Sequence, residues 1–168
     1  MVPLSVHDGR RPPRWAVAAA HTVPLLTLPS GLWRLALAAG VDVGIRPVPA
    51  VTVADAISFV ALSVLCEGLA LLTLGLVRPW GERVPRWLPL LGGRRVAPFA
   101  AIVPAALGSV ALALIWAYAF RAFPDIEGLR FAEPARHVLV VACYLPLLLW
   151  APLLAAVTWA YYLRRCRY

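Results

Sequence analysis

The sequence predicts an all-α polytopic membrane protein, a bundle of four transmembrane helices in a single domain. Three observations predict it. Of 168 residues, 62% are hydrophobic and only 14% are charged, where a soluble domain carries about 25% charged residues. The mean hydropathy is +0.79. Four apolar runs, near 15–39, 55–77, 96–121 and 137–162, are each long enough to cross about 30 Å of hydrocarbon at a helical rise of about 1.5 Å per residue. That much apolar sequence excludes a disordered chain. In a soluble domain it would leave large exposed patches.

The first run follows Arg10, Arg11 and Arg14. The basic start has the look of a signal peptide, but the apolar stretch is too long and Pro24, Pro29 and Arg34 interrupt it. An uncleaved helix is the better expectation. Pro29-Ser30-Gly31 joins three poor helix formers, so a kink or break is expected there. The second run carries Ala61, Gly68 and Gly75 at seven-residue spacing, and the third carries Ala97, Ala101, Ala105, Ser109, Ala113 and Ala117 at four-residue spacing. Small residues let membrane helices approach closely. Helices two and three are therefore expected to pack on each other along these stripes. Pro104 predicts a kink in the third helix, and Pro146 and Pro152 predict kinks in the fourth.

All sixteen basic residues are Arg. Between the runs, eleven fall on one side of the membrane (Arg10, Arg11, Arg14, Arg78, Arg83, Arg86, Arg94, Arg95, Arg164, Arg165, Arg167) and four on the other (Arg46, Arg121, Arg130, Arg136). The positive-inside rule places both termini in the cytoplasm of a bacterium, with the protein in its plasma membrane. Trp15, Trp80, Trp87, Trp159, Tyr161 and Tyr162 are expected at the cytoplasmic interface, and Trp33, Trp116, Tyr118, Phe120 and Phe123 toward the outer one. Segment 78–95 mixes arginines with Trp80, Trp87, Leu88, Leu90 and Leu91. It reads as an interfacial cytoplasmic loop, with Arg78, Arg83, Arg86, Arg94 and Arg95 at anionic lipid headgroups. A pI near 10.4 in a soluble protein would suggest nucleic acid. Here the arginines sit in short connections between apolar runs, so membrane lipids are the expected partner and nucleic acid is not.

Inside the runs, Glu67 is the candidate functional group. It lies roughly 18 Å from the outer end of the second run, near the bilayer centre. A carboxylate there is costly unless it is paired, protonated or turned into the bundle. Ser63 lies one turn earlier on the same face. Arg34 is its expected partner, on a helical face shared with Thr27 and Ser30. His21 is a candidate proton relay between the cytoplasm and Glu67, and Tyr144 a further member of the polar centre. Cys66, Cys143 and Cys166 form no C-x-x-C pair, and no His/Cys set has metal-ligand spacing. Neither a metal nor a cofactor is expected.

Two segments, Leu28-Pro-Ser-Gly-Leu-Trp-Arg-Leu35 and Arg78-Pro-Trp-Gly-Glu-Arg-Val-Pro-Arg-Trp-Leu-Pro89, resemble small four-helix integral membrane proteins of actinobacteria. That group has no assigned activity, so the resemblance implies the topology and carries no site. The plan of four helices is also similar to the sterol isomerase and sigma-2-receptor group and to the small multidrug transporters, by architecture alone. The transporters carry their essential acid in the first helix, and the isomerases use several intramembrane acids. This chain has one intramembrane acid, Glu67, in the second run.

The leading expectation is a small non-enzymatic membrane protein that binds a lipid, another hydrophobic ligand or a partner helix around Glu67, Arg34, His21, Ser63 and Tyr144. A membrane-embedded isomerase or cyclase with Glu67 as acid or base stays open. So does a proton-coupled exporter, which would act as a homo-oligomer because four helices enclose little pathway.

Overall fold

The computed structural model describes residues 11–43, 45–46, 50–81, 96–122, 130–131 and 133–167. The expectations for Arg83, Arg86, Arg94, Arg95 and the rest of 82–95 lie outside them. Among the described residues, five α-helices form: α1 (Arg14–Ala38), α2 (Val53–Thr73), α3 (Pro98–Ala122), α4 (Pro134–Tyr144) and α5 (Trp150–Cys166). Short 3-10 turns at Leu74–Leu76 and Pro79–Gly81 follow α2.

The helix ends follow local chemistry. α1 stops at Gly40, whose φ of 76° suits glycine. The Gly40 N–H donates to Leu37 and the Val41 N–H to Ala36, the Schellman arrangement that satisfies terminal carbonyls. α2 starts at a capping box: the Asp55 N–H donates to the Thr52 hydroxyl, and the Thr52 N–H donates to the Asp55 carboxylate. α1 runs unbroken through Pro29-Ser30-Gly31. Its Thr27 and Ser30 hydroxyls donate to the carbonyls of Pro24 and Thr27, so they are satisfied within the helix. The break comes instead in the fourth run, where a 3-10 segment at Leu145–Leu149 separates α4 from α5. Pro146 and Pro152 each lack the N–H that an α-helix would use there.

Among the described residues, three stretches are long and apolar enough to cross a membrane: Val53–Leu76, Pro98–Ala119 and Pro134–Cys166. α1 has the length, but His21, Thr22, Thr27, Ser30, Arg34 and two prolines make it more polar and keep it out of that set. It is nevertheless the central helix. Ala16, Ala20, Val23, Thr27, Ser30, Arg34 and Leu37 are all buried, an alternation of four and three residues that makes one continuous stripe. α1 packs against α2, α4 and α5, and α3 packs against α5. The connections after α1 and α3 meet at one end, where β1 (Ile45–Arg46) pairs antiparallel with β2 (Arg130–Phe131). An Arg136 guanidinium N–H also donates to the Asp42 carbonyl there, at 3.1 Å. The residues on either side of the α2–α3 connection lie at the other end, tied to the end of α5 by Arg164 and Arg165. The outward faces of α2 and α3 are apolar, with Val53, Ile57, Val64, Leu107 and Leu114 well exposed. Lipid can cover such surface; water would not.

The expected pairing of helices two and three is corrected by this arrangement: α2 packs on α1, and α3 packs on α5. Lipid offers no hydrophobic force between helices, so close fit and polar contacts choose the partners. Gly108 lies against Leu154 of α5, and the neighbouring Ser109 hydroxyl donates to the Ala151 carbonyl at 3.0 Å. In the 3-10 turn after α2, Gly75 is covered by the Trp80 indole; a Cβ at Gly75 would come within 2.9 Å of the ring. Tyr161 is buried in the core, exposed by only 1%, with the Arg164 guanidinium 5.5 Å from its ring centre.

Ser109→Ala should cost about 1 kcal/mol, the net worth of one hydrogen bond. Ser109→Leu should cost more, about 1–3 kcal/mol beyond it, because the side chain pushes α3 off α5. Denaturant unfolding in detergent checks this; equal costs would contradict the close α3–α5 contact.

Candidate functional site

The buried polar centre is built from α1, α2, α3 and α4. Arg34 is only 6% exposed. Its Nε–H donates to the Ser63 hydroxyl at 3.1 Å, and Ser63 in turn donates to the Phe59 carbonyl at 2.8 Å. The guanidinium carbon lies 5.9 Å from the centre of the Tyr144 ring, within cation–π range. Trp33 and Trp116 meet the same ring edge-on, at centroid distances of 5.7 and 6.2 Å. Arg34 therefore turns into the bundle and is screened by aromatic rings, on the face it shares with Thr27 and Ser30.

Glu67 lies one turn along α2 from Ser63. Its Oε1 is buried and accepts no hydrogen bond. Across from it is Gly31 of α1, where an added Cβ would come within 3.8 Å of that oxygen. The glycine thus makes room for the carboxyl group. The expected Arg34–Glu67 partnership is replaced by Arg34–Ser63, because the antiparallel register of α1 and α2 sets Arg34 level with Ser63 and Gly31 level with Glu67.

His21 does not join this centre. Its Nδ1–H donates to the Val17 carbonyl at 2.7 Å, and its Nε2 accepts from an Arg78 guanidinium N–H at 2.9 Å. A carbonyl only accepts and a guanidinium only donates, so the tautomer is fixed. His21 lies thirteen residues from Arg34 along α1, roughly 20 Å at helical rise. It fastens the first turns of α1 to Arg78, beyond the 3-10 turn that follows α2, at the Arg-rich end.

A second feature was not anticipated from the sequence. Because α2 and α3 stand apart, an apolar groove of about 550 Å³ lies between them. Leu69, Leu72 and Leu76 form one wall, Ala101, Ala105 and Leu112 the other, and Trp150 and Leu154 of α5 also line it. Trp80 and Val96 line it as well, from either side of the α2–α3 connection. Thr73 and Trp150 line the groove and are each only 2% exposed. The Thr73 hydroxyl and the Trp150 indole N–H have no hydrogen-bond partner. Glu67, Arg34, Ser63 and Tyr144 do not line it. One signal for Trp150 was present: a Trp in the middle of an apolar run, away from both interfacial belts.

Among the described residues, no group of three or more His, Cys, Asp or Glu side chains is placed to hold a metal. The chain matches no family model, no curated protein and no solved structure.

Arg34→Met and Ser63→Ala should couple by about 1 kcal/mol in a double-mutant cycle, while Arg34→Met and Glu67→Gln couple less. Unfolding measurements on the variants check this. The reverse ranking would mean that the guanidinium sits on the carboxylate in a bilayer.

Proposed function

We propose that the protein is a non-enzymatic membrane protein of four spans that binds an amphiphilic hydrophobic molecule in the groove between α2 and α3. The observation that carries this reading is the groove: an apolar space of about 550 Å³, within the usual range for small-molecule sites, with two buried donors left without acceptors. An unsatisfied buried donor costs roughly 1–3 kcal/mol. A ligand oxygen would recover that cost, and the surrounding walls would take an apolar chain.

The fourth span in this reading is α1. Its 25 residues reach across the hydrocarbon, and its polar groups are turned to the bundle or bonded within the helix. Both termini then lie on the Arg-rich, cytoplasmic side of a bacterial plasma membrane. The resemblance on residues 28–35 and 78–89 supports the same topology.

The acid–base reading rests on one observation, the buried and unpartnered Oε1 of Glu67. Glu67 is absent from the groove lining, so a molecule bound there does not meet the carboxyl group. That favours binding over isomerase or cyclase chemistry.

Native mass spectrometry of the detergent-extracted protein tests the binding reading. The wild type should retain a discrete lipophilic molecule, and Ala105→Trp, which fills the groove from α3, should lose it. Retention unchanged in Ala105→Trp would overturn the site. The topology has its own test. Cys166 is exposed, whereas Cys66 and Cys143 are half-buried. A membrane-impermeant maleimide should label Cys166 in inside-out vesicles and leave it unlabelled in right-side-out cells; the opposite pattern would invert the orientation.

A further inference from the structure

Thr73 and Trp150 stand at nearly the same depth in the bundle. The Arg34 guanidinium reaches both Ser63 of α2 and the Tyr144 ring of α4, so these two are level. From Ser63, Thr73 lies ten residues toward the Arg-rich end, about 15 Å at helical rise. From Tyr144, Trp150 lies six residues in the same direction, through the 3-10 segment, about 12 Å at its longer rise. The two donors therefore lie within about one helical turn of each other in depth. Both line the groove, Thr73 from α2 and Trp150 from the start of α5. Each is 2% exposed and has no hydrogen-bond partner. They also lie partway along the groove. The Ser109–Ala151 hydrogen bond sets Trp150 level with Ser109. From that level the α3 wall continues to Ala100 in one direction and to Ile115 in the other, about 14 and 9 Å. On α2, Leu69 and Leu76 flank Thr73 in the same way. Both stretches are apolar, and among the described residues no charged side chain lines the groove.

We infer that this groove holds an uncharged lipid ester, whose carbonyl oxygen accepts from the Thr73 hydroxyl and the Trp150 indole N–H while a hydrocarbon arm runs each way. The inference rests on the reading of the groove as a ligand site and names the ligand's chemistry. Two donors lack acceptors, and a carbonyl oxygen brings two lone pairs and no proton. An ester joins two chains and so places its carbonyl between apolar arms. An alcohol would add a third donor at the same place. A carboxylate would bring a charge into apolar surroundings, which costs far more than two hydrogen bonds return. A phospholipid carries its phosphate a few bonds from its ester carbonyls, which would set the charge against Pro104 and Ala105. A pure hydrocarbon fills the walls and leaves both donors bare. A second copy of this chain serves them poorly: its backbone carbonyls are bonded within its helices, and it has no Asn or Gln to offer an amide oxygen.

The test uses the full-length protein, stripped of lipid in detergent and offered decyl octanoate, nonadecane or stearate at equal concentration, read by native mass spectrometry. Decyl octanoate and nonadecane have the same chain length, and stearate ends in a carboxylate. Wild type should retain the ester over nonadecane by at least about tenfold, the worth of two neutral hydrogen bonds, and should also prefer it to stearate. Thr73→Val and Trp150→Phe should each lower the ester's advantage severalfold, below about tenfold for one bond, and leave nonadecane retention unchanged. In protein carrying isotope-labelled tryptophan, the ester should move the Trp150 indole N–H proton resonance downfield and nonadecane should not; loss of that resonance in Trp150→Phe assigns it. Equal retention of ester and nonadecane by wild type, both blocked by Ala105→Trp, would overturn the carbonyl while leaving the groove as a site. A preference for stearate that Ala105→Trp blocks would overturn the uncharged class alone. Retention of none of the three, retention indifferent to Ala105→Trp, or a dimer that Ala105→Trp disperses would overturn the ester and the groove reading together.

Discussion

A guanidinium buried among apolar helices is the constraint on which the rest of the structure depends. Removing Arg34 from water and from lipid headgroups carries a large desolvation cost, which must be offset where it sits. The offset comes from three elements at once: Ser63 of α2 accepts from Nε, the Tyr144 ring of α4 lies beneath the guanidinium, and Trp33 and Trp116 close around that ring. These contacts fix the level of α1 against α2 and bring α4 and α3 to the same point. The register carries through to the other end of the helices, where His21 meets Arg78. Gly31 then faces Glu67, and the carboxyl group is accommodated with Oε1 lacking a hydrogen-bond partner.

From this centre the groove follows as a geometric consequence. α1 takes the polar face of α2, and α5 takes α3 at Gly108 and Ser109, held by the Ser109–Ala151 hydrogen bond. Neither α2 nor α3 keeps a surface that calls for the other. Leu69, Leu72 and Leu76 face Ala101 and Ala105 across a gap lined also by Trp150. In water such a gap would collapse or bury itself. In a bilayer it is stable when hydrocarbon fills it, because lipid and leucine are equivalent surroundings. Thr73 and Trp150 distinguish the gap from an ordinary lipid-facing crevice, since hydrocarbon leaves their donors unsatisfied.

Much of the helical framework was legible in the sequence, and the partnerships were not. The apolar runs fall within a few residues of the helical stretches, because length and hydropathy act locally. The buried face of Thr27, Ser30 and Arg34 was legible for the same reason, from helical periodicity alone. The partner of Arg34 was not, because Ser63 and Glu67 share one face of α2 and differ by one turn. Only the register between two helices chooses between them. The packing of α3 misled because small residues recur on both α2 and α3, and a stripe does not name what lies on it. The break in the fourth run, rather than at Pro29-Ser30-Gly31, turns on burial. α1 is enclosed on several sides and bonds its own hydroxyls, whereas Leu145–Leu149 lies at the edge of the packed core, with Leu145 and Leu149 exposed.

α1–α2 and α3–α5 are the packed pairs, and α2 and α3 flank an apolar gap. Site-directed cross-linking in native membranes tests this arrangement most directly, with a short bifunctional maleimide on a background lacking the three natural cysteines. Gly108→Cys with Leu154→Cys should cross-link efficiently, since a Cβ at Gly108 would lie 3.9 Å from the Leu154 side chain. Leu72→Cys with Ala105→Cys should not, because the groove separates them. Efficient cross-linking of the second pair and none of the first would mean that α2 and α3 pack together in the bilayer, and would contradict both the groove and the account built on it.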